Sequence, residues 1–248
     1  MVARIAFIAF VQVAWITGSA QDRIRLVALE TGINFIESES TNTERIRASS
    51  SGYYGDGFRQ SDLEAQITRV YGGVKIERRS RNNFFALSTG LRVSRISNVM
   101  RKRYSGDHFY YLLRQTGTTT EYLRVRELQQ VTSYISVPLE VRLFPYRERK
   151  FRLYFLAGTE VGFKVSSKGK VAFLDPSMEL YEPEIAATID EPGSFCATLY
   201  GRGGFIIGGE KPVLEIGITF PMTISGSAST LGDTGVGGGF HLQALRKF

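Results

Sequence analysis

The sequence is poor in the residues that disulfide-bonded, metal-binding and cofactor-dependent proteins need. Its single cysteine, Cys196, excludes an internal disulfide, and the distance of Cys196 from the N terminus excludes a lipid anchor on an N-terminal cysteine. There are only two histidines, His108 and His241. No metal-ligand spacing, phosphate-binding loop or dinucleotide fingerprint is present in the chain. We therefore expect no cofactor and no bound metal.

Long hydrophobic runs are also missing after the first twenty residues. A transmembrane helix needs about 20 consecutive apolar residues, so a helical membrane protein is excluded. Strands that alternate apolar and polar residues average out their apolar half. A transmembrane barrel therefore remains compatible with the mean hydropathy of -0.09.

The first twenty residues have the three parts of a signal peptide. A positively charged start is followed by the apolar stretch 5–16 and then by the small residues Gly18, Ser19 and Ala20. An apolar run of this length is too short to span a bilayer. The sequence therefore predicts a signal peptide at 1–20, an exported protein that begins at Gln21, and one domain at 21–248.

The chain is basic, with a formal net charge of +7 from 31 basic and 24 acidic side chains. The basic residues are scattered singly or in pairs. A nucleic-acid surface would more often show them in a cluster or along one helix. We predict no nucleic-acid partner.

Eight segments alternate apolar and polar residues with the period of two that marks a β-strand. They cover 25–37, 69–77, 84–95, 133–144, 151–165, 195–207, 214–224 and 236–248. Short connections alternate with long ones, which cover 38–68, 96–132 and 166–194, as in bacterial outer-membrane barrels. The sequence therefore predicts an all-β fold, an eight-stranded antiparallel up-and-down transmembrane β-barrel with short periplasmic turns and long extracellular loops.

The same alternation would also suit a soluble, lipocalin-like ligand-binding barrel, in which the apolar face points inward. Three features favour the membrane. Several runs exceed the length of ordinary strands, the polar face is rich in glycine, and the chain ends in an aromatic residue. Phe248, with Phe240 before it, resembles the C-terminal signal read by the barrel-assembly machinery. We predict an outer-membrane location, with lipid and that machinery as partners.

Residues 134–144, with the sequence YISVPLEVRLF, are followed after a short basic turn by YFLAG at 154–158. This pair of strands resembles the PorT-like outer-membrane β-barrel family. The resemblance implies a small outer-membrane barrel. The family is functionally diverse, and its namesake assists protein secretion across the outer membrane.

Two prolines, Pro138 and Pro221, fall inside predicted strands. A closed barrel has no edge at which a missing backbone N–H can be hidden. We expect a local bulge at each of them.

The polar face carries charges of both signs, and an eight-stranded barrel is just wide enough to be filled by its own side chains. Buried charges must be paired. We expect a salt-bridged plug; the alternative is a charged pathway for small solutes. The predicted interior charge network comprises Glu30, Lys75, Arg92, Glu140, Arg142, Glu160, Arg202 and Glu215, with Glu77 and Lys164 on the same face.

The long loops are the expected functional surface. Aromatic residues in the second loop could pack the loops together or bind a protein partner, and the candidate contact surface is Tyr104, Phe109, Tyr110, Tyr111 and Tyr122. We predict a non-enzymatic scaffold, adhesin or accessory subunit of a secretion, transport or surface assembly. The alternative is a membrane-embedded enzyme, lipid-modifying or proteolytic, that uses His108 or His241.

Overall fold

The computed structural model describes residues 24–41, 43–47, 62–80, 84–103, 108–116, 119–147, 151–208, 213–225, 230–232 and 236–247. The predicted signal peptide and Phe248 lie outside these ranges. The signal peptide and the assembly signal at Phe248 therefore stay predictions.

The described chain is almost entirely antiparallel strand. The strands are β1 (Ile24–Ser38), β2 (Ile46–Arg47), β3 (Leu63–Arg79), β4 (Phe85–Lys102), β5 (Phe109–Thr116), β6 (Thr119–Arg147), β7 (Phe151–Phe173), β8 (Phe195–Ile207), β9 (Val213–Ser225) and β10 (Val236–Lys247). Between β7 and β8 lie a 3-10 turn, Pro176–Tyr181, and the short helix α1, Glu182–Ala186. Within the described ranges, no helix has the length and apolar character needed to cross a membrane.

Eight of the strands form a closed circuit of hydrogen bonds. The order is β6-β4-β3-β1-β10-β9-β8-β7, and the pairing of β7 with β6 closes it. Along the chain, each of the eight strands pairs with the next one, and the last strand, β10, pairs with the first, β1. The predicted eight-stranded up-and-down barrel is therefore confirmed. β5 pairs with the first part of β6, and β2 pairs with β5, so these two strands lie outside the circuit.

Four barrel strands reach further toward the long connections than the sequence pattern indicated. β3 begins at Leu63, β4 continues to Lys102, β6 starts at Thr119 and β7 ends at Phe173. The predicted loop boundaries were wrong for two reasons. The ladder of β6 and β7 shifts register between Ser133 and Tyr134, which interrupts the period of two. Beyond that level most of the buried inward side chains are apolar. An apolar residue there no longer marks the face that points outward.

The outward face of the barrel is an apolar belt to which all eight strands contribute. Leu29, Leu91 and Phe240 each expose more than 60% of their surface, whereas Glu140 exposes none. Exposed apolar area on this scale around a whole molecule needs a lipid partner. Charged side chains inside and apolar side chains outside rule out the soluble ligand-binding barrel. The chain is an outer-membrane β-barrel.

Aromatic side chains stand near both ends of the apolar belt. Phe35, Phe163 and Phe220 lie toward the end with the long connections, and Phe85 and Phe151 toward the end with the short turns. Aromatic rings suit the two membrane–water interfaces. The belt therefore occupies the hydrocarbon layer, with the long connections on the extracellular side.

Both prolines keep their strands in register, so the expected bulges were wrong. Pro138 faces the position of Gly90, and the β4–β6 register is the same on either side of it. Pro221 faces the position of Gly237 in the same way. In each of these ladders, only the residue pair at the proline and one adjacent pair are missing. The absent N–H therefore interrupts the ladder opposite a glycine without changing the register.

Inward-pointing tyrosine rings lie on glycines of the neighbouring strand. Tyr71 stands opposite Gly32, and a Cβ at Gly32 would lie 2.4 Å from its Cζ. Tyr200 stands opposite Gly158, where a Cβ would lie 2.7 Å from the Cζ of the ring. The glycines of the polar face therefore make room for aromatic rings inside a crowded lumen.

Leu139→Arg tests which side of the barrel faces lipid. Leu139 lies on the outward face of β6, between Val137 and Val141 in the belt. The arginine should lower the free energy of unfolding in lipid vesicles by about 2–4 kcal/mol. Gln129→Arg, on the same face above the belt, should change it little. Urea unfolding followed by gel mobility measures both, and equal tolerance of the two arginines would contradict the orientation.

Gly158→Ala tests the packing of tyrosine on glycine. The new methyl group would push against the Tyr200 ring, whose hydroxyl is held 2.7 Å from Glu140. We expect a loss of about 1–3 kcal/mol, as for other overpacked sites. Gly201→Ala is the matched control, because a Cβ there meets no atom within 4 Å. A neutral Gly158→Ala in the same unfolding measurement would show that the ring can move aside.

Candidate functional site: a sealed lumen and an extracellular head

Glu140 is the centre of the charges inside the barrel. Lys75 donates to it at 2.7 Å, and Arg92 at 3.3 Å. The hydroxyls of Ser88 and Tyr200 donate to it at 2.8 and 2.7 Å. A buried carboxylate is tolerated only with such partners. These contacts connect β6 to β3, β4 and β8.

Arg92 joins three carboxylates across the lumen. Its guanidinium donates to Glu30 at 2.9 and 3.0 Å, to Glu140, and to Glu160. The Tyr71 ring lies 4.6 Å from the guanidinium carbon, within the range of a cation–π contact. Arg92 therefore ties β1, β6 and β7 to its own strand, β4.

A second group of charges lies nearer the periplasmic end. Arg142 donates to Glu215 at 2.7 and 3.2 Å and lies 2.8 Å from Glu77. Arg79 donates to the other oxygen of Glu77 at 2.6 Å. Arg202 lies 4.0 Å from Glu215 and 3.9 Å from Glu140, so it connects this group to the one above.

All eight residues of the predicted charge network lie inside the barrel, and each is ion-paired. Two buried members escaped the sequence analysis. Arg69 pairs with Glu160, and Arg79 pairs with Glu77. Both point inward from β3; Arg69 is the first residue of the predicted strand, and Arg79 lies two residues beyond its predicted end. Lys164 lies on the predicted face, opposite the buried Tyr134, but toward the extracellular end, where it pairs with Glu191 at 2.7 Å and not with the network.

His241 is enclosed by this network. Its ring lies 3.0 Å from the Tyr71 hydroxyl and 3.2 Å from Gln243, with Glu215 at 3.6 Å. Only 2% of the residue is exposed. A general base must reach the proton that it abstracts, and neither a lipid nor a peptide at the surface can reach this ring. Across the described ranges, no group of three or more His, Cys, Asp or Glu side chains is arranged to hold a metal ion.

His108, the other candidate base, lies just before β5. Its ring meets the ring of Tyr110 edge to face, with the centroids 5.2 Å apart. Its sequence neighbour Asp107 lies outside the described residues. The use of His108 by an enzyme therefore stays a prediction.

Apolar layers lie below and above the charges. Toward the periplasm, Phe144, Ile206 and Leu245 are buried inside the barrel. Toward the outside, Ile36, Ile67, Ile96, Tyr134 and Cys196 form a second layer. Side chains that line a water-filled pore would be exposed, whereas the charged network exposes at most a few per cent of any residue. The described lumen is therefore packed and closed.

A separate hydrophobic core lies above the barrel, in a region we call the head. The head consists of β2, β5, the upper parts of β3, β4, β6 and β7, and residues 174–192. Its core is made of buried apolar side chains from these parts together with Leu231, which lies between β9 and β10; the other members are Ile46, Leu63, Met100, Phe109, Tyr111, Leu113, Leu123, Val125, Leu128, Val171 and Ile185. The head is therefore packed like a soluble β-protein, with its apolar side chains inward.

Phe109 and Tyr111 do not belong to an exposed contact surface, and that part of the prediction was wrong. Both alternate inward along β5 and are buried in the head core. The Tyr111 hydroxyl is hydrogen-bonded to Thr188 at 2.6 Å. Burying two large aromatic rings stabilises the head, so these rings hold the loops together. Tyr104 lies outside the described residues.

Polar contacts attach the segment 174–192 to the strands of the head. Arg114 donates to both carboxylate oxygens of Glu184, at 2.8 and 2.7 Å. This hydrogen bonding holds the pKa of the Glu184 carboxyl below its usual value, so the pair stays charged at neutral pH. Gln130 donates to the Asp190 carbonyl at 2.9 Å. The connection between β7 and β8 is therefore fixed at several points.

The outward side of the β5–β6 hairpin carries the remaining aromatic residues of the predicted surface. Tyr110 stands opposite Arg124, and Leu112 stands opposite Tyr122. Tyr110, Leu112 and Tyr122 are partly exposed, and Arg124 is exposed. We call these four residues the hairpin face.

No protein-family model matches the chain, and no curated protein sequence matches it. Solved structures to which the chain is similar include the following three. The outer membrane protein OprG from Pseudomonas aeruginosa has 11% identity and a TM-score of 0.43, over 91% of this chain and 95% of OprG. Neisserial surface protein A has 9% identity and a TM-score of 0.36, over 92% and 100%. Ail, the attachment invasion locus protein of Yersinia pestis, has 12% identity and a TM-score of 0.38, over 91% and 99%.

Glu140→Gln tests the contribution of the charge network. The amide keeps the shape but places an NH₂ group against donors such as Lys75 and Tyr200. Removing one partner of a buried ion pair costs about 3–5 kcal/mol, and we expect the barrel to assemble with stability lowered by about that amount. Glu64→Gln, which breaks the exposed pair with Arg101, should cost about 1 kcal/mol or less. Urea unfolding in vesicles compares the two, and equal losses would mean that the network is not a stabilising unit.

Proposed function

We propose that this outer-membrane barrel is a non-conducting, non-enzymatic scaffold that presents the head, and within it the hairpin face, to a protein partner outside the cell. The observation that carries the proposal is the placing of Tyr110, Leu112, Tyr122 and Arg124 side by side on one outward surface of a packed head. Tyrosine and arginine dominate the residues that contribute most at protein interfaces. Two tyrosines and an arginine around a leucine therefore make a suitable contact surface.

The rigid support of the hairpin favours binding. Phe109 and Tyr111, on the other side of β5, are buried, and Arg114 is paired with Glu184. A surface that is already ordered loses less conformational entropy when a partner binds. The hairpin face therefore combines partial exposure with a fixed position.

The closed lumen argues against the alternative of a solute pathway. The charged side chains are paired with one another and covered by apolar layers at both ends. Passage of an ion would require those pairs to separate inside a low-dielectric lumen, which is costly. The burial of His241 likewise argues against an enzyme that uses this residue as its base.

The resemblance of residues 133–162 to the PorT-like family supports a finer proposal. A barrel of this kind would act as an accessory subunit in a secretion, transport or surface assembly. The partner would then be another protein of that assembly, bound at the hairpin face.

The experiment compares native detergent pull-downs of the wild-type chain and Tyr110→Ser/Tyr122→Ser. We expect the double variant to lose at least about 2 kcal/mol of binding, as for other interface tyrosines, so that partner recovery falls more than tenfold. Glu179→Ser/Leu180→Ser alters exposed residues elsewhere on the head and should leave recovery unchanged. Heat-shifted gel mobility verifies that each variant is folded.

Two outcomes would contradict the proposal. The first is equal recovery of the partner by the Tyr110→Ser/Tyr122→Ser variant. The second is stepwise ion conductance by the wild-type protein in a planar bilayer, because a packed lumen should not conduct. Loss of recovery in the Glu179→Ser/Leu180→Ser control alone would move the contact to another part of the head.

A further inference from the structure

The outward surface of β4, β6 and β7 changes from apolar to polar between two adjacent rows of paired residues. Below the change, Val93 pairs with Ile135, and Ile135 pairs with Phe163. The next outward row consists of Arg95, Ser133 and Ser166. The upper limit of the hydrocarbon layer on these three strands therefore lies between the two rows.

Basic side chains concentrate directly above this limit. Arg95 lies in the first polar row, and Lys168 and Lys170 point outward from β7 in the next rows. The register shift between Ser133 and Tyr134 reverses the alternation of β7, so that its even-numbered residues point inward below the shift and outward above it. We call Arg95, Lys168 and Lys170 the basic ridge.

The spacing of the basic ridge allows its side chains to approach one bound group. Residues two apart on a strand are about 7 Å apart, and β4 and β7, separated by β6, lie about 10 Å apart. The Cα atoms of Arg95 and Lys168 are therefore about 12 Å apart, by the same spacings. Two long cationic side chains can converge across that distance.

The ridge lacks carboxylate partners within the described part of the chain. Arg95, Lys168 and Lys170 are exposed, and none of them forms an ion pair there. Nearby basic side chains do have carboxylate partners, since Arg101 pairs with Glu64 and Lys164 pairs with Glu191. Three exposed cations without partners on one surface attract an anion.

β1, which is separated from β4 by β3, has the reverse charge at a similar level. Above Phe35 on β1, the outward residues are Glu37 and Glu39, both exposed. The neighbouring outward residues of β3 are Thr68 and Gln66, which carry no charge. Among the described outward residues just above the belt, β1 is therefore acidic and β3 uncharged, whereas β4 and β7 carry the basic ridge.

We propose that the basic ridge binds the phosphate groups of a glycolipid of the outer leaflet. The level of the ridge, one row above the apolar belt on the extracellular side, is where the head groups of that leaflet lie. Basic side chains at a membrane interface attract anionic lipids. The acyl chains of the same lipid would lie against Val93, Ile135 and Phe163, directly below. The ridge lies on the barrel wall and binds its lipid whether or not the hairpin face has a protein partner.

The experiment measures lipid retained by the full chain, refolded in detergent, using native mass spectrometry. The probes are lipid A with both phosphates, lipid A with both phosphates removed, and phosphatidylglycerol. Wild-type protein should retain bisphosphorylated lipid A. Arg95→Ser/Lys168→Ser/Lys170→Ser should bind it at least about tenfold more weakly, because each basic residue near a membrane surface contributes to anionic-lipid binding.

The matched control is Arg25→Ser/Arg246→Ser/Lys247→Ser, which removes three exposed charges at the periplasmic end. It should retain bisphosphorylated lipid A as the wild type does. Equal retention by the ridge variant would overturn the proposal. So would equal retention of the dephosphorylated lipid by the wild type, since acyl chains alone would then account for binding. Equal retention of phosphatidylglycerol would overturn the assignment to the glycolipid.

Discussion

In hydrocarbon, a backbone N–H or C=O without a partner costs several kcal/mol, so a sheet in a membrane must close on itself. Here the closing contact is the long ladder between β6 and β7, which runs from Val125 to Arg147 on β6. Once the sheet is closed, each outward side chain meets lipid and each inward one meets the lumen. The apolar belt and the charged interior both follow from this closure.

Closure also determines how the charges are accommodated. The lumen of eight strands is too narrow for a water-filled channel through long side chains, so Glu140 and Arg92 must find partners among their neighbours. They do so across strands, and the tyrosine rings that lie on glycines, such as Tyr200 on Gly158, supply further hydroxyl donors. The same packing that stabilises the barrel closes it to solutes. Function therefore has to be sought on the outer surfaces.

The outer surface has three zones, and each is in contact with a different environment. The belt around Leu91 faces acyl chains, the ridge at Lys168 and Lys170 faces the head-group layer, and the hairpin face at Tyr110 and Tyr122 faces water. The register shift between β6 and β7 lies at the border of the first two zones. Each zone presents the chemistry that its surroundings favour.

The sequence by itself determined the number of barrel strands, their order and the face of each that meets lipid. A period of two couples position along the chain to one side of the sheet, so Leu139 outside and Glu140 inside could be predicted. Only the tertiary structure decided which charges pair, since Lys75 and Glu140 are 65 residues apart in the chain. It also decided that Phe109 and Tyr111 are buried. Above the membrane the surroundings change from lipid to water, the apolar face turns inward, and alternation alone does not reveal that reversal.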